Sequence, residues 1–183
     1  MNKIVPHHSW LALEERAAAE SNPRHKKLLT EVRDHMEHEI KGEIEPLMAT
    51  LTAQPIYHFW GNDPSIIDGY DAVKGFYQAM FAAGGQQFQV VVDRIVVDDG
   101  AVITEGQVKN VQKGASLQAM GIDEVDGAPV GADELFVTTA QLVTVWPADP
   151  DGKLVGEDIY FGENSMNNIE RITRDELPDY YQI

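Results

Sequence analysis

The 183-residue chain carries 14 Lys and Arg against 30 Asp and Glu, a formal net charge of −16, and no cysteine. Its length suits one domain with a core of its own, its charge repels phosphate backbones and anionic lipid, and the missing thiols exclude disulfides, thiolate metal sites and cysteine nucleophiles. The start Met1-Asn2-Lys3-Ile4-Val5-Pro6-His7-His8 lacks the apolar stretch of a signal peptide, and no run approaches the ~18 apolar residues of a membrane span. A soluble, cytoplasmic protein without nucleic-acid or membrane partners is the expectation.

Helical signals come first. Ser9 is placed to cap a helix over Trp10–Glu20, which Ser21-Asn22-Pro23 breaks; Pro23 then suits the first turn of a second helix running to about Lys41. That second helix carries Leu28, Leu29, Val32, His35, Met36 and Glu39 or Ile40 at three-four spacing, and Gly42 ends it. A short helix over Ile44–Leu51 leads into a strand over Pro55–Trp60. Gly69–Ala83 reads as a fourth helix with Val73, Phe76, Tyr77 and Met80 on one side, closed by Gly84-Gly85.

Strand signals follow. Phe88–Val97 turns at Asp98-Asp99-Gly100 into Ala101–Val111, and Leu135–Trp146 turns at Asp149-Pro150-Asp151-Gly152 into Lys153–Phe161. Between these hairpins Gln112–Glu134 shows no sustained apolar period and reads as a long mobile connection, of the kind that often serves as a lid or binding loop. Helices first, then one strongly curved antiparallel sheet, is an α+β pattern.

The glycine-led helix Gly69-Tyr70-Asp71-Ala72-Val73-Lys74-Gly75-Phe76-Tyr77 and the strand Gly152-Lys153-Leu154-Val155-Gly156-Glu157-Asp158-Ile159-Tyr160-Phe161-Gly162-Glu163-Asn164, in this order, resemble the nuclear-transport-factor-2-like superfamily. That superfamily includes ketosteroid isomerase, SnoaL-like polyketide cyclases, scytalone dehydratase and limonene epoxide hydrolase. The resemblance spans roughly Leu28 to Asn168. It implies a cone-shaped curved sheet wrapped by N-terminal helices (a cystatin-like fold) in one domain over 1–183, with an N-terminal helical extension over 1–22 and a C-terminal tail over 169–183. It also implies a homodimer through the outer face of the sheet.

Set against the isomerase pattern, His58 falls where that family carries its carboxylate base, His35 where it has a tyrosine donor, and Gln141 near its protonated aspartate. All three are substitutions, which argues against ketosteroid isomerase activity itself. What the resemblance implies is two imidazoles facing one apolar cup, with Trp60, Phe76, Met80, Phe88 and Phe161 as its walls. Strand alternation puts Glu157 on the same face as Phe161, so Glu157 joins Gln141 among the expected binding residues.

A histidine with an unperturbed pKa near ~6.5 is a fitting general base for a substrate held in such a cup. The reading is therefore a lyase- or isomerase-type enzyme acting on a small apolar carbonyl or hydroxyl compound, with His58 as base and His35 as partner, and with no cofactor. The alternative is a non-catalytic small-ligand-binding or dimerisation module of the same fold. His38, three residues after His35, suggests a metal pair, but zinc needs three ligands or more and His58 would have to be the third; no metal is assigned. Asp149-Pro150-Asp151-Gly152 lacks the ligand pattern of a calcium loop and is a turn.

Overall fold

A curved, unclosed sheet packs against the N-terminal helices; a computed structural model describes residues 1–61 and 63–183. Helix α1 spans Leu11–Ala19 and α2 spans Pro23–Lys41. Asn22 caps α2, its side-chain oxygen accepting from the Arg24 backbone N–H at 2.9 Å, and Gly42 ends it at φ 71, a left-handed conformation that costs glycine nothing. The α2 stripe of Leu28, Leu29, Val32, Met36 and Ile40 is buried together with His35. Each of these apolar side chains contributes ~1.5–3 kcal/mol by leaving water. Ser9 does not cap α1. Its hydroxyl donates to the Pro6 carbonyl at 2.8 Å and accepts from the Val90 backbone N–H at 3.0 Å, tying the N-terminal turn to the sheet.

After α3 (Ile44–Ala49) come β1 (Leu51–Trp60), the short β2 (Ser65–Asp68) and α4 (Tyr70–Ala82). Asn62 lies outside the described residues. The remaining large strands are β3 (Gln89–Val97), β4 (Ala101–Lys113), and, after an intervening segment, β7 (Leu135–Pro147) and β8 (Leu154–Phe161). Their order in the sheet is β2-β1-β8-β7-β4-β3. The neighbours are antiparallel except for β1 and β8, which run parallel, a pairing that a reading of consecutive hairpins does not anticipate.

Curvature has a local cause. The β3–β4 register shifts between Val92 and Arg94, so Asp93 is an extra residue, and opposite this bulge stands Gly106. A Cβ on Gly106 would lie 1.8 Å from the Val91 carbonyl oxygen, so only glycine admits the close approach that bends the strands.

One expectation is corrected here. The 112–134 stretch is no bare connection: it forms α5 (Gly114–Ala119) and a miniature hairpin of β5 (Glu124–Val125) and β6 (Ala128–Pro129). Leu117, Val125, Val130 and Phe136 close a small core of their own. These apolar residues lie too far apart in sequence to show a period, which is why the stretch reads as structureless. The tail, in turn, contributes β9 (Ile169–Ile172), which pairs with the first part of β7. Ile172, Leu177 and Tyr181 then bury themselves against Ile4 and Val137.

Candidate functional site

Alternation along β1 and β8 decides what the concave face presents. Tyr57 and Phe59 point inward with Glu157, Ile159 and Phe161, whereas His58 and Trp60 point outward with Asp158 and Tyr160. Between the concave face, α2 and α4 lies a cavity of about 260 Å3. Phe59, Phe76, Met80, Phe88, Leu142 and Trp146 supply its apolar wall. Its polar groups are Glu39, Glu157, Tyr57 and Tyr77, with Thr104, Thr144 and Asn110 from the floor and rim. No lysine or arginine lines it among the described residues.

At the closed end, His35 is fully buried behind the wall. The Thr50 hydroxyl donates to the Leu47 carbonyl at 2.7 Å, so toward His35 the Thr50 oxygen can only accept. His35 Nδ1–H therefore donates to Thr50 Oγ1 across 2.6 Å, which fixes the ring and aims Nε2 at the cavity side. There Nε2 meets the Tyr77 hydroxyl at 3.0 Å, the Tyr57 hydroxyl at 3.3 Å and Glu157 Oε1 at 3.4 Å. Tyr77 donates to Glu157 Oε1 at 3.1 Å and lies 2.9 Å from the Tyr57 oxygen. The result is a continuous polar chain Thr50–His35–Tyr77–Glu157 with Tyr57 at its side. Burial, reinforced by the charge of Glu157, pushes both phenols well above their ordinary range, so they remain donors.

Glu39 sits one helical turn beyond His35 on α2 and faces the same cavity. It retains some solvent access but is walled by apolar side chains. Desolvation first, and then the charge of Glu157, holds its carboxyl well above the usual carboxylate range, and no hydrogen-bond donor among the described residues offsets them. The cavity thus contains two carboxyl groups in opposite situations. Glu157 accepts from the Tyr77 phenol. Glu39 is pushed toward its protonated form by burial and by the charge of Glu157.

Of the residues picked out by sequence, the structure brings Phe76, Met80, Phe88, Glu157 and Phe161 to the cavity wall. His35 stands behind that wall and touches it through Tyr57, Tyr77 and Glu157. Three placements are corrected. His58 lies on the outer face, its Nδ1 2.6 Å from Asp158 Oδ1 and its ring stacked on Trp60 at 5.3 Å, because one step along a strand reverses the side-chain direction. Trp60 stacks outward on Tyr160 for the same reason. Gln141 alternates with the inward Leu142 and packs against Gly162 outside the cavity. Glu105, whose strand phase sequence leaves open, faces outward to Arg94 at 3.1 Å. His38 turns away to Glu43 at 2.6 Å.

Sequence reasoning missed Glu39, Tyr57 and Thr50 as site residues. One signal was present: Glu39 follows His35 by four on the apolar side of α2, where an acid is out of place without a function.

A family model described as a SnoaL-like domain matches residues 32–153, two thirds of the chain. The chain belongs to the SnoaL-like domain family. Among curated proteins none matches the sequence. Solved structures share the fold of this SnoaL-like protein at low identity. SalBIII, an epoxide hydrolase/cyclase-like enzyme of pyran ring formation in the polyether salinomycin, aligns at TM-score 0.54 and 11% identity, covering 80% of this chain and 97% of its own. A protein provisionally named SnoaL-like polyketide cyclase from Jannaschia sp. CCS1 aligns at 0.56 and 16%, covering 78% and 90%. A nuclear-transport-factor-2-like protein from Anabaena variabilis ATCC 29413 aligns at 0.56 and 14%, covering 80% and 96%. At such identities the likeness is one of fold, a fold that cyclase- and epoxide-hydrolase-like proteins share with this SnoaL-like chain. No helix among the described residues is long and apolar enough to cross a membrane.

Proposed function

We propose that this SnoaL-like protein is a proton-transfer enzyme that cyclises or isomerises a small, uncharged, largely apolar molecule, with Glu39 as general acid and Glu157 as general base. The observation that carries the reading is the pair of unlike carboxyls on one apolar wall, one raised by burial and without a donor among the described residues, the other accepting from Tyr77. Groups whose surroundings push their proton affinities apart are natural acid and base partners. The chain's net charge of −16 and a cavity wall without Lys or Arg support a substrate without negative charge.

Ring closure of a hydroxy-epoxide illustrates the balance. Glu157 takes the hydroxyl proton as that oxygen forms a bond to an epoxide carbon, the C–O bond of the epoxide breaks, and Glu39 gives its proton to the departing oxygen. One proton has moved from Glu39 to Glu157, and nothing is oxidised or reduced. Return of the proton from Glu157 to Glu39 resets the pair. Tyr77 and His35 act on the substrate only through Glu157, as positioning residues. Acid–base assistance of this kind is typically worth ~10²–10⁴-fold each.

The test is incubation with small uncharged hydroxy-epoxides, with ring-closed products followed by mass spectrometry. Product formation by the wild type, reduced ~10²–10⁴-fold in both Glu39→Gln and Glu157→Gln, supports the reading. Recovery of unchanged compound that nevertheless binds would assign the protein to the non-catalytic ligand-binding class.

For assembly, we propose a dimer through the outer sheet face, where Trp60 and Tyr160 stand 40% and 42% exposed beside His58. Light scattering at micromolar concentration decides it: a dimer that Trp60→Glu dissociates supports the pairing, and a monomeric wild type contradicts it.

A further inference from the structure

Gly85 and Asn110 border two cavities at once. On their far side, a second chamber of about 690 Å3 opens between the loop after α4, the end of β4 and the chain's tail. The two spaces differ sharply in lining. Where the inner cavity is aromatic and acidic, the outer one presents the carboxamides of Gln86, Asn110 and Gln112, the hydroxyl of Ser116 and the amine of Lys113. No Asp or Glu side chain lines it among the described residues, in a chain with 30 of them.

The inward residues of β4 show the change along a single strand, from Thr104 and Val108 in the inner cavity to Asn110 at the shared rim and Gln112 beyond it. The outer chamber also has a built wall. Gln87 donates its amide to the Gln182 carbonyl and accepts from the Gln182 backbone N–H, both at 2.8 Å, holding the tail in place as one side of the chamber. Gln86, by contrast, has its Oε1 buried without any hydrogen-bond partner, the sole such side-chain atom among the described residues. Buried polar atoms are nearly always paired, and this carboxamide, packed against Gly42, meets a donor in the chamber by turning about its own side-chain bonds.

We propose that the outer chamber binds the hydroxyl-bearing polar end of the molecule whose apolar, reacting part occupies the inner cavity, so that the substrate is amphipathic and spans both. Several hydroxyls on one head group give and accept protons at once, pairing with Asn110 and Gln112 and with the Gln86 carboxamide in either orientation, which the lone hydroxyl of a simple alcohol does not. The inference rests on the inner cavity taking an apolar group, as in the function proposed above.

The test compares two probes by isothermal titration calorimetry on the full chain: octyl glucoside, kept below its micelle-forming concentration, and 1-octanol, which has the same alkyl chain and almost no polar head. The expected result is that wild type binds the glucoside roughly tenfold more tightly than the alcohol, an increment of about one hydrogen bond. Gln86→Leu and, independently, Gln112→Leu abolish that difference and leave octanol affinity unchanged. Should Gln86→Leu fail to fold, Gln112→Leu decides the matter by the same criterion. Equal affinity of wild type for the two probes, or an undiminished preference in the variants, overturns the two-chamber inference while leaving the acid–base reading intact. Failure of octanol to bind at all overturns both.

Discussion

Tyr77 gives its single hydroxyl proton to Glu157 across 3.1 Å. That bond orders the closed end of the cavity. It supplies Glu157 with a donor, leaves the Tyr77 oxygen to accept from Tyr57, and gives Glu39 nothing.

Stability should depend on pH through Glu39 in a defined direction. Its carboxyl is held well above the ordinary 4.5 in the folded protein, so between that value and the raised one the native state binds a proton that the unfolded chain has released. Stability therefore falls as pH rises through this window. Glu39→Gln removes the dependence: its Tm should exceed that of wild type at pH 8 and converge with it below the ordinary glutamate value. A variant less stable than wild type at pH 8 would contradict the assignment.

The buried phenols should resist base. Burial raises Tyr57 and Tyr77 far beyond their usual range, and Tyr181 is pushed up to about 12. In a spectrophotometric titration of the six tyrosines, these three should remain un-ionised at pH 11 and ionise only beyond it or on unfolding. Complete ionisation of the folded protein by pH 11 would speak against the cluster.

Thr50 fixes the histidine tautomer. Thr50→Val keeps the shape but leaves His35 Nδ1–H buried without an acceptor, which costs ~1–3 kcal/mol of stability. Nitrogen-15 NMR should report the proton on Nδ1 in wild type and a changed ring signal in the variant. A proton resident on Nε2 alone in the wild type would break the chain of donors described here.

His58 offers the converse test. Because it faces Asp158 on the outer side of the sheet, His58→Gln should leave ligand affinity and turnover in the cavity within about twofold of wild type, as is usual for surface substitutions. Loss of activity with an unchanged fold would place His58 in the chemistry after all.

Much of the architecture was legible because it depends on local rules. The α2 helix is bounded by an asparagine cap, a proline in the first turn and a left-handed glycine, and its buried stripe follows the three-four spacing. The large strands run between acidic glycine turns. Glu157 could be aimed inward because strand alternation tied it to Phe161. Elsewhere the local signal was too weak. At β1, His58 and Tyr57 differ by one residue and so by opposite faces, and the choice between them depends on the parallel pairing with β8, a long-range event. The α5 segment hid its core in widely spaced residues that meet only around Phe136. Glu39 appeared as one of two options for a helical stripe, and its meaning emerges only when Glu157, far along the chain, comes to share its cavity.

The central claim is that burial in an apolar wall, reinforced by the charge of Glu157 beside it, raises the Glu39 carboxyl well above the ordinary carboxylate range. Carbon-13 NMR of the glutamate side-chain carboxyls across a pH titration measures this directly. The account predicts that the Glu39 resonance titrates well above 4.5 in wild type and moves back toward that value in Glu157→Gln, where the neighbouring charge is gone. A Glu39 carboxyl that titrates in the ordinary range in wild type, or that is indifferent to Glu157→Gln, would contradict it.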